Sequence, residues 1–396
     1  MRFPDPARRA RLARRHALHP DHRQDSPEAA ARAVVALHAT EAATVHLAVA
    51  ARMRDPAVPL VDVALYDDRT LVKQLAMRRT LFAFPAELLP AVWGSASARV
   101  AEQELRRLTA DLLRHGVTDD GAAWIERGRR AVLGRLAGGV SLGARELRDQ
   151  LPELAGRTRR IEGGTRWNLP DVPFAPRLLT VLGAEHSIVR GRNAGHWRLS
   201  RPTWTLMADW LDDPPPALAG AEGYAELVRR WLRSFGPGTE ADLVWWLGAT
   251  KTTVRSALEA VGAARVTLDS GGTGWVLPGD DAADDPPEGD WAALLPVLDP
   301  TTMGWRQRDF YLPPALAPLL FDSNGNAGTT AWVNGRIVGC WVQDDDGRVR
   351  VLPGVPLPPA HADLLHREAD RLTGFLDGVV IGNVYKSRLM QGTALP

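Results

Sequence analysis

Apolar and polar positions alternate at two different periods between residues 224 and 277. Tyr224, Leu227, Val228, Trp231 and Phe235 recur on one face at helical spacing, and Gly236-Pro237-Gly238 stops that helix. Thr239 is placed to cap a second helix, with Asp242 three residues later to return the bond, and Ala241, Leu243, Val244 and Leu247 form its apolar face. Gly248 closes it. Thr250 caps a third helix whose inner face is Val254, Ala257, Leu258 and Val261, leaving Lys251, Thr252, Thr253, Arg255 and Ser256 outward. The period then shortens to two: residues 265–269 alternate, a glycine-rich turn follows, and Trp275-Val276-Leu277 returns as the partner strand. Three helices and a hairpin in this order predict a winged helix, a fold that serves nucleic-acid binding and protein docking alike.

Two looser copies precede it. In the middle of the chain a helix capped by Ser141 runs through Leu147, Pro152 breaks the pattern, and 173–182 is a further helix. A hairpin follows, with strands at 187–190 and 196–199 around residues 191–195. In the first copy, 59–66 and 70–77 read as short helices and 79–84 as a strand ended by Pro85. Beyond Leu277 an acidic, proline-rich linker leads to strands at 330–333, 336–342 and 349–352, with Asn334-Gly335 as a tight-hairpin signal, and then a helix over 364–376. The fold class expected is α+β. It comprises three tandem winged-helix modules over 1–112, 113–212 and 213–285, followed by a small β-barrel-like domain over 286–396.

Composition narrows the chemistry. The sequence has 396 residues and one cysteine, Cys340, so an internal disulfide and cysteine-rich metal centres are excluded. His16, His19 and His22 read as a polar entry to the first core, and no metal is expected. Gly134 to Gly139 lacks the pattern of a phosphate-binding loop, so no cofactor is expected either. No apolar run is long enough for a membrane span, nor does a secretory signal stand at the start; a cytoplasmic location is expected. The net charge of +1 hides an asymmetry. Residues 1–200 hold 32 Lys and Arg against 22 Asp and Glu, and the remainder 16 against 25. Double-stranded DNA is therefore the partner expected, bound mainly by the first half, with the protein a monomer because no dimerisation helix is evident. The side chains singled out for DNA are Arg69, Lys73, Arg78 and Arg79 in the first module and Arg190, Arg192, Asn193 and His196 in the middle hairpin. Lys251, Thr253 and Arg255 on the last helix complete the set.

Several motifs carry a resemblance. Leu37-His38-Ala39-Thr40-Glu41 leads into an Ala/Val/Leu-rich helix, followed by Leu65-Tyr66-Asp67-Asp68-Arg69-Thr70-Leu71 and Arg78-Arg79-Thr80-Leu81-Phe82. Ser200-Arg201-Pro202-Thr203-Trp204, residues 295–305 and residues 321–328 extend the match over most of the chain. These resemble the actinobacterial branch of the winged-helix superfamily that contains the AlkZ and YcaQ-type DNA glycosylases. The resemblance implies hydrolysis of the N-glycosidic bond of alkylated or bulky purines, crosslinked ones included, in DNA repair or self-resistance to DNA-alkylating agents. It also implies a catalytic motif of the form Gln-aliphatic-Gln or Gln-aliphatic-Asp, with His first in some branches.

The matching triplet here is His38, Ala39 and Thr40, at the end of a helix that starts at Ser26 and runs to about Leu37. A purine alkylated at a ring nitrogen leaves as a neutral base, so the protein's task is to orient water and stabilise a cationic sugar. His38 and Thr40 are candidates for holding the water, and Glu41 for assisting or stabilising charge. Each has a structural alternative: His38 as an interfacial histidine, Thr40 as the N-cap of a helix over 41–53, Glu41 as an ordinary first-turn acid. A non-catalytic DNA-binding regulator or damage sensor, and a protein-interaction scaffold, stand as other functions for the same pattern.

Overall fold

The computed structural model describes residues 2–159, 171–282 and 284–392. Strand β1 (Arg2–Phe3) pairs in parallel with Thr267 and Leu268 far along the chain, so the N-terminus joins the third helical unit and not the first. The helix Asp5–Arg15 follows. Ser26 Oγ then accepts from Ala29 N to cap the helix Pro27–Ala33, which ends four residues earlier than its apolar pattern suggests. Residues after it turn extended to form β2 (Leu37–His38), and the nearly all-buried helix Ala42–Arg52 comes next.

β3 (Leu71–Ala76) and β4 (Thr80–Pro85) complete an antiparallel sheet in the order β2-β4-β3. The helix expected over 70–77 is thus a strand. Lys73 and Gln74, neighbours in sequence, point to opposite sheet faces, and each finds a partner there: Lys73 Nζ donates to Tyr66 Oη at 2.7 Å, and Gln74 Nε2 to Gly183 O at 2.9 Å. The hairpin was hidden because its turn has no glycine or asparagine. Arg78 and Arg79 take the left-handed conformation instead, with φ of 53° and 58°.

The middle unit has its own core, in which Leu108, Leu112, Trp124, Ile125, Leu178 and Leu182 are buried. It contains the helices Ala98–Arg114, Gly121–Leu136, Ala144–Gln150 and Ala175–Ala184, with β5 (Leu142–Gly143), β6 (Ile188–Asn193) and β7 (Pro202–Leu206) in the order β5-β7-β6. The second hairpin strand lies at β7 and not at 196–199. Trp197 is drawn away to pack on His46 and Phe375, at ring-centroid distances of 4.9 and 6.3 Å, and Arg198 Nη1 donates to Val380 O at 2.9 Å. Tertiary contacts thereby convert an apparent strand into a docked loop.

The third unit follows its sequence pattern closely, with helices Gly220–Phe235, Glu240–Leu247 and Lys251–Ala260, then β8 (Ala264–Leu268) and β9 (Thr273–Val276). β1 extends this hairpin to three strands. β10 (Ala292–Leu295), β11 (Thr330–Val333), β12 (Arg336–Gln343) and β13 (Val349–Pro353) then form an antiparallel sheet in sequence order. Among the described residues it does not close into a barrel. Both of its faces are already covered: Leu294, Ala331, Val333 and Trp341 meet Leu365, Leu372 and Leu376 of the helix Pro359–Leu376, while Leu295, Trp332, Ile337 and Cys340 join the main core. The molecule is therefore a mixed α+β structure of small sheets. No described helix is long and apolar enough to cross a membrane.

Candidate active site

The triplet lies on extended backbone. His38 sits on β2 opposite Phe82, and Ala39 N continues the pairing to Leu81 O at 2.9 Å. The strand ends before Thr40: His38 and Ala39 are both buried, and Thr40 emerges into solvent at the bend that follows. His38 is only 5% exposed; its ring meets Phe82 edge-on, its Nδ1 has no hydrogen-bond partner, and burial followed by the charge of Arg78 lowers its pKa to about 3. It is a neutral imidazole at physiological pH. Thr40 is exposed and does not cap the next helix, which begins at Ala42 with Glu41 as its N-cap and no side-chain bond. Its hydroxyl remains available. Glu41 is half-buried, has neither a basic nor a hydrogen-bonding side-chain partner among the described residues, and burial raises its pKa.

The wall beside this triplet comes from distant parts of the chain. Arg78, held at the β3–β4 turn, lies over the Trp245 ring with its guanidinium carbon 3.9 Å from the centroid. Arg308 stands 5.1 Å from the same ring and 4.4 Å from that of Phe321. Tyr385 feels the charges of Glu41 and Asp322, and together with Trp245 and Phe321 it packs against Val297, Leu298, Met303 and Ala327. Residues 295–305 and 321–328 thus support the wall next to Glu41. Neither Trp245, Arg308 nor Tyr385 was distinguishable in sequence, since each reads locally as helix surface or loop.

A family model described as "DNA glycosylase AlkZ-like" matches residues 31–375, which include the triplet, Arg78, Trp245, Arg308 and Phe321 of the wall and most of the three helical units, but not Tyr385. The chain belongs to the AlkZ-like DNA glycosylase family. Its fold is similar to that of the Streptomyces sahachiroi DNA glycosylase AlkZ, with a TM-score of 0.72 at 22% sequence identity over 94% of this chain and 98% of that one. A comparison with curated protein sequences finds no match.

In this AlkZ-like chain the other residues considered for DNA divide into groups. Lys73 and Arg192 meet at Tyr66, with Arg190 near Lys73: burial lowers the pKa of Lys73 to about 8, with the charge of Arg190 adding to the effect, and Arg192 lies 5.4 Å from the Tyr66 ring while bridging to Asp67. Arg190 rests 5.3 Å from the Trp204 ring. His46 adjoins this group through Asp62, at 3.1 Å. Arg69 donates to Trp210 O at 2.7 Å and Arg79 pairs with Glu104 at 2.8 Å, so both tie units together. Asn193 spends both ends of its amide shaping the hairpin loop, accepting from Arg201 N at 2.6 Å and donating to His196 and Leu199 carbonyls, while His196 itself is exposed.

On the last helix Lys251 is exposed, Thr253 bonds Thr250 at 2.8 Å, and Arg255 bonds Glu240 at 2.8 Å. Lys251 lines a cavity of about 700 Å³ with Arg8 and Arg265, a different set of residues from the triplet's wall. His16 is no metal ligand but a core residue, bonded to Thr301 Oγ1 at 2.8 Å and Ser234 O at 3.1 Å. No metal-binding cluster occurs among the described residues.

Proposed function

We propose that this protein is a monofunctional DNA glycosylase that hydrolyses the N-glycosidic bond of alkylated purines, with Glu41 as the principal catalytic group. The observation that carries the reading is the environment of Glu41. A carboxylate that is half-buried, unpaired and raised in pKa is a stronger base than a free one, and it lies near Tyr385, which shares an apolar cluster with Trp245 and Phe321. Glu41 takes a proton from the attacking water, or stabilises the developing sugar cation; the alkylated base departs as a neutral molecule and needs no acid. Thr40, with its exposed hydroxyl, orients the water. His38, neutral and sealed against Phe82, fixes the strand and limits solvent beside Glu41.

The duplex is held, in this reading, by the winged-helix character of the three helical units and by the Lys73–Arg190–Arg192 group. A monomer suffices, because every proposed catalytic residue comes from one chain. A non-catalytic damage sensor is the second reading, favoured by the burial of His38, which withdraws the first residue of the motif from solvent. Duplex DNA containing N7-methylguanine separates the two. Alkali-labile abasic sites are expected from the wild type and a loss of at least a hundredfold in rate from Glu41→Gln, with DNA affinity little changed. Binding without abasic sites would establish the sensor.

A further inference from the structure

Arg78 and Arg308 are 230 positions apart in sequence by their numbering, yet both guanidinium groups lie over the ring of Trp245. Neither forms an ion pair among the described residues, although the chain uses most of its arginines in such pairs. Both Nε atoms are buried without a hydrogen-bond partner. The acids nearby do not compensate them: Asp322 accepts from Asn324 N, Asn326 N and Asn326 Nδ2 at 2.8 to 2.9 Å, and Glu41 stands unpaired. Arg308 Nη2 donates to the Gly325 carbonyl at 3.3 Å, and the Arg308 side chain also bonds the Tyr311 hydroxyl, so its partners are neutral groups. Burial lowers the pKa of Arg78 to about 10, and the charge of Arg308 adds to the effect. The backbone bears a cost here as well, since Arg78 occupies the left-handed region at φ 53°.

We propose that Arg78 and Arg308, braced on Trp245, seat one phosphodiester of the DNA strand that carries the damaged base, next to the nucleotide presented to Glu41. Two forked donors with unsatisfied N–H groups match the oxygens of a phosphodiester, and one negative charge between them relieves the repulsion. The seat lies beside the triplet, because the charge of Arg78 reaches the His38 ring, and the anions nearest a nucleotide's sugar are its own phosphates. The proposal rests on the glycosylase reading for the identity of the strand.

The test measures binding, so it does not depend on turnover. A duplex with one N7-methylguanine is prepared with a neutral methylphosphonate at each successive linkage, and the affinity of the native full-length protein is measured for each. A loss of about tenfold or more is expected at one linkage, or two adjacent ones, flanking the lesion on its own strand. Arg308→Gln should be insensitive to that substitution and should show a salt slope shallower by about one; Arg308→Lys, which keeps the charge but not the fork, should retain the position of the effect at reduced size. Equal losses at all linkages, a loss confined to the opposite strand, or an unchanged footprint in Arg308→Gln would overturn the proposal. Competition by inorganic phosphate beyond chloride of equal ionic strength, with no position-specific loss, would do so too, in favour of a free-anion site. A footprint on the lesion strand without base excision would leave the seat standing and count against Glu41 as the catalytic base.

Discussion

His38 and Glu41 lie three residues apart, and burial favours the neutral form of both, which separates them in pH. Glu41 must be ionised to accept a proton, so excision should weaken as pH falls through its raised pKa. The acid limb of the single-turnover rate then has its midpoint above the ordinary glutamate value of 4.5. His38 titrates at about 3, well below that limb. A rate that stays level down to the acid limit of folding would assign the chemistry to neither carboxylate nor imidazole titration and remove Glu41 as base. The motif residues were recognisable in sequence, but their environments were not. Whether Thr40 caps a helix or stays free depended on where the helix begins, and the chain turns helical at Ala42 because residues 37–39 are held extended by β4.

Asp242 shows how one local signal does more than its pattern announces. Its Oδ2 accepts from Thr239 N and Thr239 Oγ1 at 2.9 and 2.8 Å, closing the capping box read from sequence, while Oδ1 accepts from Arg306 N and Gln307 N at 2.9 and 2.8 Å. The same fully buried carboxylate therefore caps the helix Glu240–Leu247 and anchors the segment leading to Arg308. Asp242→Ala should lower unfolding stability by about 2–4 kcal/mol in urea titration, above the ~1 kcal/mol of an ordinary cap. A loss no larger than an ordinary cap's would mean that the 306–307 contacts contribute nothing. Asn334-Gly335 is a second local signal that held, with φ of 48° and 75° at the β11–β12 turn. The β3–β4 turn escaped because arginine rarely takes the left-handed conformation that such turns require.

Across the molecule, the opposite charges of the two halves serve first to join them. Arg11 and Arg15 bind Asp280 and Asp284 of the acidic linker, Arg2 binds Asp269, Arg23 binds Glu368, and Arg52 makes a fully buried two-pronged pair with Asp299 at 2.7 and 2.9 Å. Much of the basic excess in residues 1–200 is therefore neutralised internally and is not offered to phosphates. DNA affinity should fall steeply with salt, and Arg190→Gln should make the log–log slope shallower by about one while Arg15→Gln leaves it unchanged. Equal effects of the two variants on titrations between low and high salt would contradict that division.

Repeating apolar periods, caps and turn residues act over a few positions, and for that reason the third helical unit, its capping box and the β11–β12 hairpin could be read directly from the chain. The family motifs were legible in the same way, as short strings of residue types. The candidate site was not, because Arg78, Trp245, Arg308 and Tyr385 come from four separate segments, which meet only when Trp245 and Tyr385 pack on Val297 and Leu298 and the two arginines settle on Trp245. Nor could the middle hairpin be placed correctly, since Trp197 leaves its strand to pack, partly buried, against Phe375. Local pattern specifies which conformations a segment favours. Burial, pairing across long separations and the resulting shifts in proton affinity are set by which segments the packed core brings into contact.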